Sequence, residues 1–457
     1  MVIDSRKGCK AIHNVVRLAP RKAPYEDAVD AYLAGRPKSC LNLLHGHDSA
    51  AASLLRVRAF LRSGRQDDAI GELEESVPPF ADHAASAVHQ FLLGTALARR
   101  GTFDEAQEAL VNADTYATSS ADGELITEAA YYRALTAFMR GDFVQAENIA
   151  SETLDEQGGS AHARLLELLG LVAGLRGDVE RQMTMLLAAN EHLTRLSARD
   201  VWLEASMLNN LAVPVAEGNP PKLAAFVRDR ANTIAWNDEL RPLRFHVTHH
   251  LAWLEALAGN HLAAFRHFKS AIDLAPTLPR RAEALVGRGY LARELGEPVN
   301  AAECIADAEE LARQIDWNAT DDDEREALLH LATLIAPSNA ERADQYMDRY
   351  KAIPKPIDRL NIAAHGNPFF RAKEAYAFGL VAGKLHGASF GLDLLREAFG
   401  LFRSVSSNWR AAVVALDLYE LVGDRAMLHY AREHAARIPQ SWLARRVGRL
   451  AEVPIAI

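Results

Sequence analysis

The sequence predicts an all-α fold, an α-solenoid of about nine to ten helix-turn-helix repeats, on three observations. First, a glycine followed five residues later by an alanine recurs at Gly64/Ala69, Gly101/Ala106, Gly141/Ala146, Gly259/Ala264 and Gly296/Ala301. Gly177 and Gly218 keep the rhythm between them, so successive glycines stand 37, 40, 36, 41, 41 and 37 residues apart. A fixed period of this size is what stacked repeats leave in a sequence. Second, the flanks of each glycine read as helix, tight turn, helix. Third, small residues stand seven positions before five of these glycines, at Gly94, Ala134, Gly170, Ala252 and Gly289. Small residues there and at the alanine let two antiparallel helices approach closely.

The stretch Phe91 to Ala113 shows the unit in full. Leu92, Leu93, Ala96 and Leu97 recur at helical spacing, and Arg99-Arg100-Gly101 ends the helix. Glycine takes the left-handed conformation at a helix end without a Cβ penalty, and cations in the last turn complement the helix dipole. Asp104 opens the partner helix, with Ala106, Ala109, Leu110 and Ala113 along one face. Two central units depart from the pattern. Gln182 stands where an alanine is expected after Gly177, and Pro220-Pro221 follows Gly218 with Leu223 at the alanine place.

These signals divide the chain. Residues 1–24 carry six cations and one acid and read as a basic tail. Residues 25–350 read as the superhelix, with Ser338/Ala343 as a late turn pair. Residues 351–370, with Pro354, Pro356 and Pro368, read as a linker. Residues 371–440 read as further helical repeats, with a turn at Gly423, and 441–457 as a C-terminal tail.

Bulk properties narrow the function. The chain has 457 residues, of which 49% are hydrophobic, enough for a large core. The net charge of −9 gives no bulk attraction to nucleic acid. Cys9, Cys40 and Cys304 form neither a disulfide framework nor a CxxC site, which fits a reducing, cytoplasmic setting. No apolar run reaches the roughly 20 residues of a membrane span.

Motifs for catalysis are missing. There is no phosphate-binding GxxxxGK[ST] loop, no HExxH and no GxSxG. Gly287-Arg-Gly289 falls inside a repeat helix, not after a strand. His246, His249 and His250 lie within one helical turn, but a histidine pair without further ligands is weak ground for a metal site. The run Asp321-Asp322-Asp323-Glu324 reads as a dipole-matched helix start. No catalytic residue, metal or cofactor is expected.

The pattern resembles the tetratricopeptide repeat. The best copy is Leu251-Ala252, Gly259, Ala264, Phe268, Ala271 and Pro276, followed by Leu93-Gly94, Gly101, Ala106, Leu110 and Ala113. The family repeat has 34 residues, and every interval here is longer. That length resembles the helical arrays of large bacterial LuxR-type and maltose-regulator-like transcription factors. The resemblance implies that positions six and ten before each turn glycine look into a concave groove. Those positions include Arg58, Thr95 and Phe91, Leu135 and Tyr131, Glu167, Trp253 and His249, and Tyr290 and Val286, with Phe138 and His246 facing the same way. The lysines and asparagines of the carboxylate-clamp members are missing from these places.

The expected groove is therefore apolar and aromatic, built from Phe91, Tyr131, Phe138, His246, His249, Trp253 and Tyr290. Aromatic residues of this kind anchor peptides and helices. The first expectation is a non-catalytic scaffold that binds a protein or peptide segment. The second is a sensory module of a transcription-control system, with a DNA-binding regulator as its partner because residues 441–457 are too short for a helix-turn-helix. Direct nucleic-acid and membrane binding are not expected.

Overall fold

The computed structural model describes residues 23–76, 82–154, 159–176, 178–196, 198–212, 220–320, 322–353, 368–405 and 407–452. Residues 1–22 of the basic tail and most of the 351–370 linker lie outside them. Among the described residues the secondary structure is helical throughout, with no strand, so the all-α solenoid is borne out. The helices run α1 Ala23–Leu33, α2 Pro37–Leu43, α3 Ala50–Arg62, α4 Gln66–Glu75, α5 His83–Arg100, α6 Phe103–Ser120, α7 Gly123–Met139 and α8 Phe143–Thr153. They continue as α9 Gly159–Leu175, α10 Val179–Arg195, α11 Val201–Ala212, α12 Pro220–Thr233, α13 Arg241–Leu257, α14 His261–Leu274, α15 Leu278–Leu295 and α16 Pro298–Gln314. The last are α17 Asp322–Ile335, α18 Ala340–Ala352, α19 Pro368–His386, α20 Ala388–Ser404, α21 Asn408–Val422, α22 Arg425–Ala435 and α23 Trp442–Glu452. Successive helices pair, giving eleven pairs from α1/α2 to α21/α22 and one further helix, α23.

Gly177 and Gly218 lie outside the described residues; the other turn glycines do what the sequence implies. Gly101 sits at φ +89° as the C-cap of α5, and Gly296 at φ +81° as the C-cap of α15. In each, the residue after the glycine donates its N–H back to a carbonyl of the ending helix, Thr102 to Leu97 and Glu297 to Ala292. The small residues upstream sit at the helix crossing. A methyl group on Gly94 would lie 2.6 Å from Leu110 Cγ and 3.1 Å from the Ala106 carbonyl oxygen. On Gly289 it would lie 3.0 Å from Cys304 Cβ.

The irregular unit at Gln182 is compensated across the same crossing. Gly174, on the facing helix, has no side chain, and a methyl there would fall 2.6 Å from Gln182 Cδ. The bulk moves from one helix to the other, and α9 and α10 keep their packing. The unit after Gly218 starts α12 at Pro220, a helix start that proline tolerates. Leu223 at the alanine place packs with Leu208, Ala212 and Leu254.

The array folds back on earlier repeats twice. The junction between α12 and α13 reaches back to the first pair: Glu239 accepts from Lys38 N at 2.7 Å and Ser39 Oγ at 3.0 Å, and Asn237 Nδ2 donates to the Ala34 carbonyl at 2.9 Å. Arg62 on α3 pairs with Asp200, 138 residues away. The second return is made by α23, which lies against α13, α15, α21 and α22. Trp442 is fully buried there, edge-on to Tyr290 with centroids 5.4 Å apart.

Residues 441–457 are thus not simply a tail: 442–452 form a helix of the core, while 453–457 lie outside the described residues. Trp442, Leu443, Arg446 and Val447 share a buried face, and that apolar face drives the docking. One apolar cluster also runs from Leu285 to Leu418, across the 351–370 linker, so the flanking repeats pack as one body.

Candidate ligand cavities

The inner helices beside the second return line a cavity of about 200 Å³. Alpha-helices α13, α15, α17, α19 and α21 each contribute one wall. Trp253, Tyr290, Tyr376, Trp409 and Phe369 supply aromatic faces; His249, His250, Glu283, His330, Lys373 and Arg410 supply the polar ones. The aromatics hold one another in place. Trp253 stacks on Trp409 at 6.0 Å and meets Tyr290 edge-on at 5.9 Å. These contacts join the seventh pair to the eleventh and fix the cavity's width.

The polar groups are partly satisfied. Lys373 pairs with Glu326. Glu283 accepts from Arg280 at 3.1 Å and stands 3.9 Å from His249 Nδ1. Tyr376 donates to Asp417 at 2.7 Å. Three buried atoms have no partner: His249 Nε2, His250 Nδ1 and Tyr290 OH. A buried polar atom left unpaired costs about 1–3 kcal/mol, so this cavity is built with hydrogen-bonding capacity in reserve.

Its histidines are held neutral. Burial, with Lys373 nearby, pushes the His330 imidazole down to about 3. Burial also depresses His249, and His250, which additionally faces His249 and His246. The unfolded chain binds a proton on each below its ordinary value near 6.5, while the folded chain does not. Stability is therefore complete above about pH 6.5 and falls as the pH drops towards 3. His330 alone is expected to cost about 1.4 kcal/mol at pH 5.5 relative to neutral pH. Urea denaturation at pH 7.5 and 5.5 checks this; an unchanged midpoint would contradict it.

The seven sequence-derived groove residues divide. His249, Trp253 and Tyr290 line this cavity. Tyr131 lines a second cavity inside the first return. Phe91 corrects the expectation: it is fully buried and stacks on Tyr132 at 4.8 Å, because its helix turns it into the core between repeats. Phe138 packs edge-on against Phe143 of its own repeat and reaches neither cavity. His246 stops outside the cavity lining, edge-on to Phe245. Sequence reasoning missed Tyr376, Trp409, Arg410 and His330, which come from pairs where the glycine period had lapsed.

Nothing among the described residues groups three or more His, Cys, Asp or Glu side chains in a way that could hold a metal. Burial pushes the Cys40 thiol up to about 12 and raises that of Cys304, so neither is a ready thiolate. No helix among the described residues is long and apolar enough to cross a membrane.

Fold and site together define an all-α helical-repeat array with two inner cavities. No protein-family model and no curated protein matches the chain. Its structure is similar to that of a Rap protein complexed with competence and sporulation factor, at TM-score 0.46 and 14% identity over 88% of this chain and 98% of that one. It is also similar to a monomeric mutant of IFIT1 with Gppp-AAAA, at TM-score 0.46 and 12% identity over 96% of this chain and 99% of the other. The human IFIT1 dimer with PPP-AAAA gives 0.41 and 12%, over 97% and 100%.

Proposed function

We propose that this chain is a non-catalytic binding scaffold that takes an anchor side chain of a protein or peptide segment into the cavity beside His249, Trp253 and Tyr290. The observation that carries the reading is the pairing of aromatic walls with three unpartnered buried atoms, His249 Nε2, His250 Nδ1 and Tyr290 OH. Aromatic-lined pockets with a few placed polar groups are where anchor residues bind. A volume of about 200 Å³ suits one side chain better than an extended segment. The buried free thiols fit a cytoplasmic setting.

The test keeps the cavity's shape and removes its polar atoms. Alanine at Trp253 or Tyr290 would disturb packing, since Trp253 also meets Phe268 at 5.3 Å. His249→Gln combined with Tyr290→Phe is expected to weaken partner binding by about tenfold or more, since each lost bond contributes about 1 kcal/mol. Helicity and the denaturation midpoint should change little. Unchanged affinity in a folded double variant would count against the cavity as the site.

A second reading is favoured by the size of the cavity. At about 200 Å³ it also suits a small molecule, as a sensory module acting on a DNA-binding regulator would require. Stabilisation by small metabolites but by no peptide would favour this reading over the first.

A further inference from the structure

The second cavity, about 120 Å³, lies inside the first return and has a different chemistry. Four arginines converge on it: Arg58 and Arg62 from α3, Arg99 from α5 and Arg164 from α9. Two are neutralised, Arg58 by Glu128 at 3.0 Å and Arg62 by Asp200. Arg99 donates only to the Leu61 carbonyl, at 2.5 Å, and Arg164 only to Tyr132 OH, at 3.3 Å. Neither has a carboxylate partner among the described residues. The remaining acid in the lining, Glu167, accepts from Asn210 Nδ2 at 2.7 Å, and burial raises its carboxyl to about 7.

Arginine cannot discard its charge, so the cavity keeps an excess of one to two positive charges near neutral pH. Arg164 is 9% exposed. A guanidinium this buried without a directly bonded carboxylate is costly; Glu128 and Glu167 act on it only from a distance. The Tyr131 ring, 5.5 Å from the Arg164 guanidinium carbon, offsets part of that cost. It also leaves a flat aromatic face in the lining. Arg58 Nε and Nη2 are buried without acceptors, adding donors that face no protein oxygen.

We propose that this cavity is a second binding site, for a small organic oxyanion with a flat body, whose carboxylate or phosphate headgroup is held by Arg99 and Arg164 beside Tyr131. Planar guanidinium groups match both headgroups. The volume admits a headgroup and a ring, not a chain of residues. The site is independent of the aromatic cavity, so failure of either proposal leaves the other standing.

The test uses the full chain and three probes at constant ionic strength: benzoate, phenyl phosphate and neutral benzamide. Benzoate, phenyl phosphate or both should raise the melting temperature at millimolar concentration, and benzamide should not. Which anion acts distinguishes a carboxylate from a phosphate ligand. Arg164→Gln should weaken the effective probe by about tenfold or more. It should also raise the melting temperature of the ligand-free chain, because it removes an unpaired buried charge; a merely structural arginine would lower it. Should Arg164→Gln fail to fold, Arg99→Gln carries the same binding prediction. No stabilisation by either anion, or equal binding by a folded Arg164→Gln chain, overturns the proposal.

Discussion

Gly391→Ala is expected to destabilise the chain by about 3 kcal/mol, at the upper end of what overpacking a close contact costs. Helices α19 and α20 cross glycine to glycine. A methyl on Gly391 would lie 2.0 Å from the Gly379 carbonyl oxygen and 2.7 Å from Gly383 N. Both obstacles are backbone, so no side chain can swing away and the helices themselves must part. The gain in helix propensity on replacing glycine, about 1 kcal/mol, offsets only part of this. The consequence extends to the site, because α20 carries Phe402 and α19 carries Tyr376 and Lys373 into the aromatic cavity. Gly400 on the same helix is the control: it is exposed with nothing within 4 Å, and Gly400→Ala should be neutral or slightly stabilising. Guanidinium denaturation of both variants separates the cases. Equal midpoints would mean that the crossing is not as tight as described.

Arg446→Met is expected to cost about 3–5 kcal/mol, the range for breaking a buried ionic network by removing one partner. Arg446 is 6% exposed and donates to Asp417 at 2.5 Å and Glu420 at 2.8 Å, with Glu294 at 3.9 Å. Asp417 also accepts from Tyr376 and so links the network to the cavity wall. Methionine keeps the stem's packing but leaves three acids facing one another without their shared cation. Only Glu294 retains others, Arg293 at 2.9 Å and Arg449 at 3.5 Å. Arg446→Met with Asp417→Asn should recover part of the loss, and a double-mutant cycle measures that coupling. A single-variant effect below about 1 kcal/mol would show that α23 is held by Trp442 and its apolar neighbours alone.

The turn glycines made most of the architecture legible, because a left-handed helix end and a close crossing each restrict the residue type. The same frame placed Tyr131, His249, Trp253 and Tyr290 towards the inside. It misplaced Phe91, Phe138 and His246, since one residue of rotation on a helix carries a side chain from the inner face into the packing around it. Helix α23 was also present as a pattern: Trp442, Leu443, Arg446 and Val447 follow a helical stripe. It escaped notice because it stands outside the repeat, without a glycine partner. The returns of the array were not legible at all. Arg446 meets Glu294, and Arg62 meets Asp200, through separations of 138 residues or more, which no local period records. The lining from Tyr376, Trp409 and Arg410 depends on that closure.

Binding of a partner inside the aromatic cavity, as proposed above, can be measured directly. Peptides selected on the full chain from a displayed random library test it most directly, when their affinity is remeasured on Thr333→Phe. Thr333 lines the cavity, and a phenylalanine ring there would project into it. Selected peptides are expected to lose binding to a folded Thr333→Phe chain, and alanine in place of their aromatic or apolar anchor is expected to abolish binding. Equal affinity for both chains would contradict it.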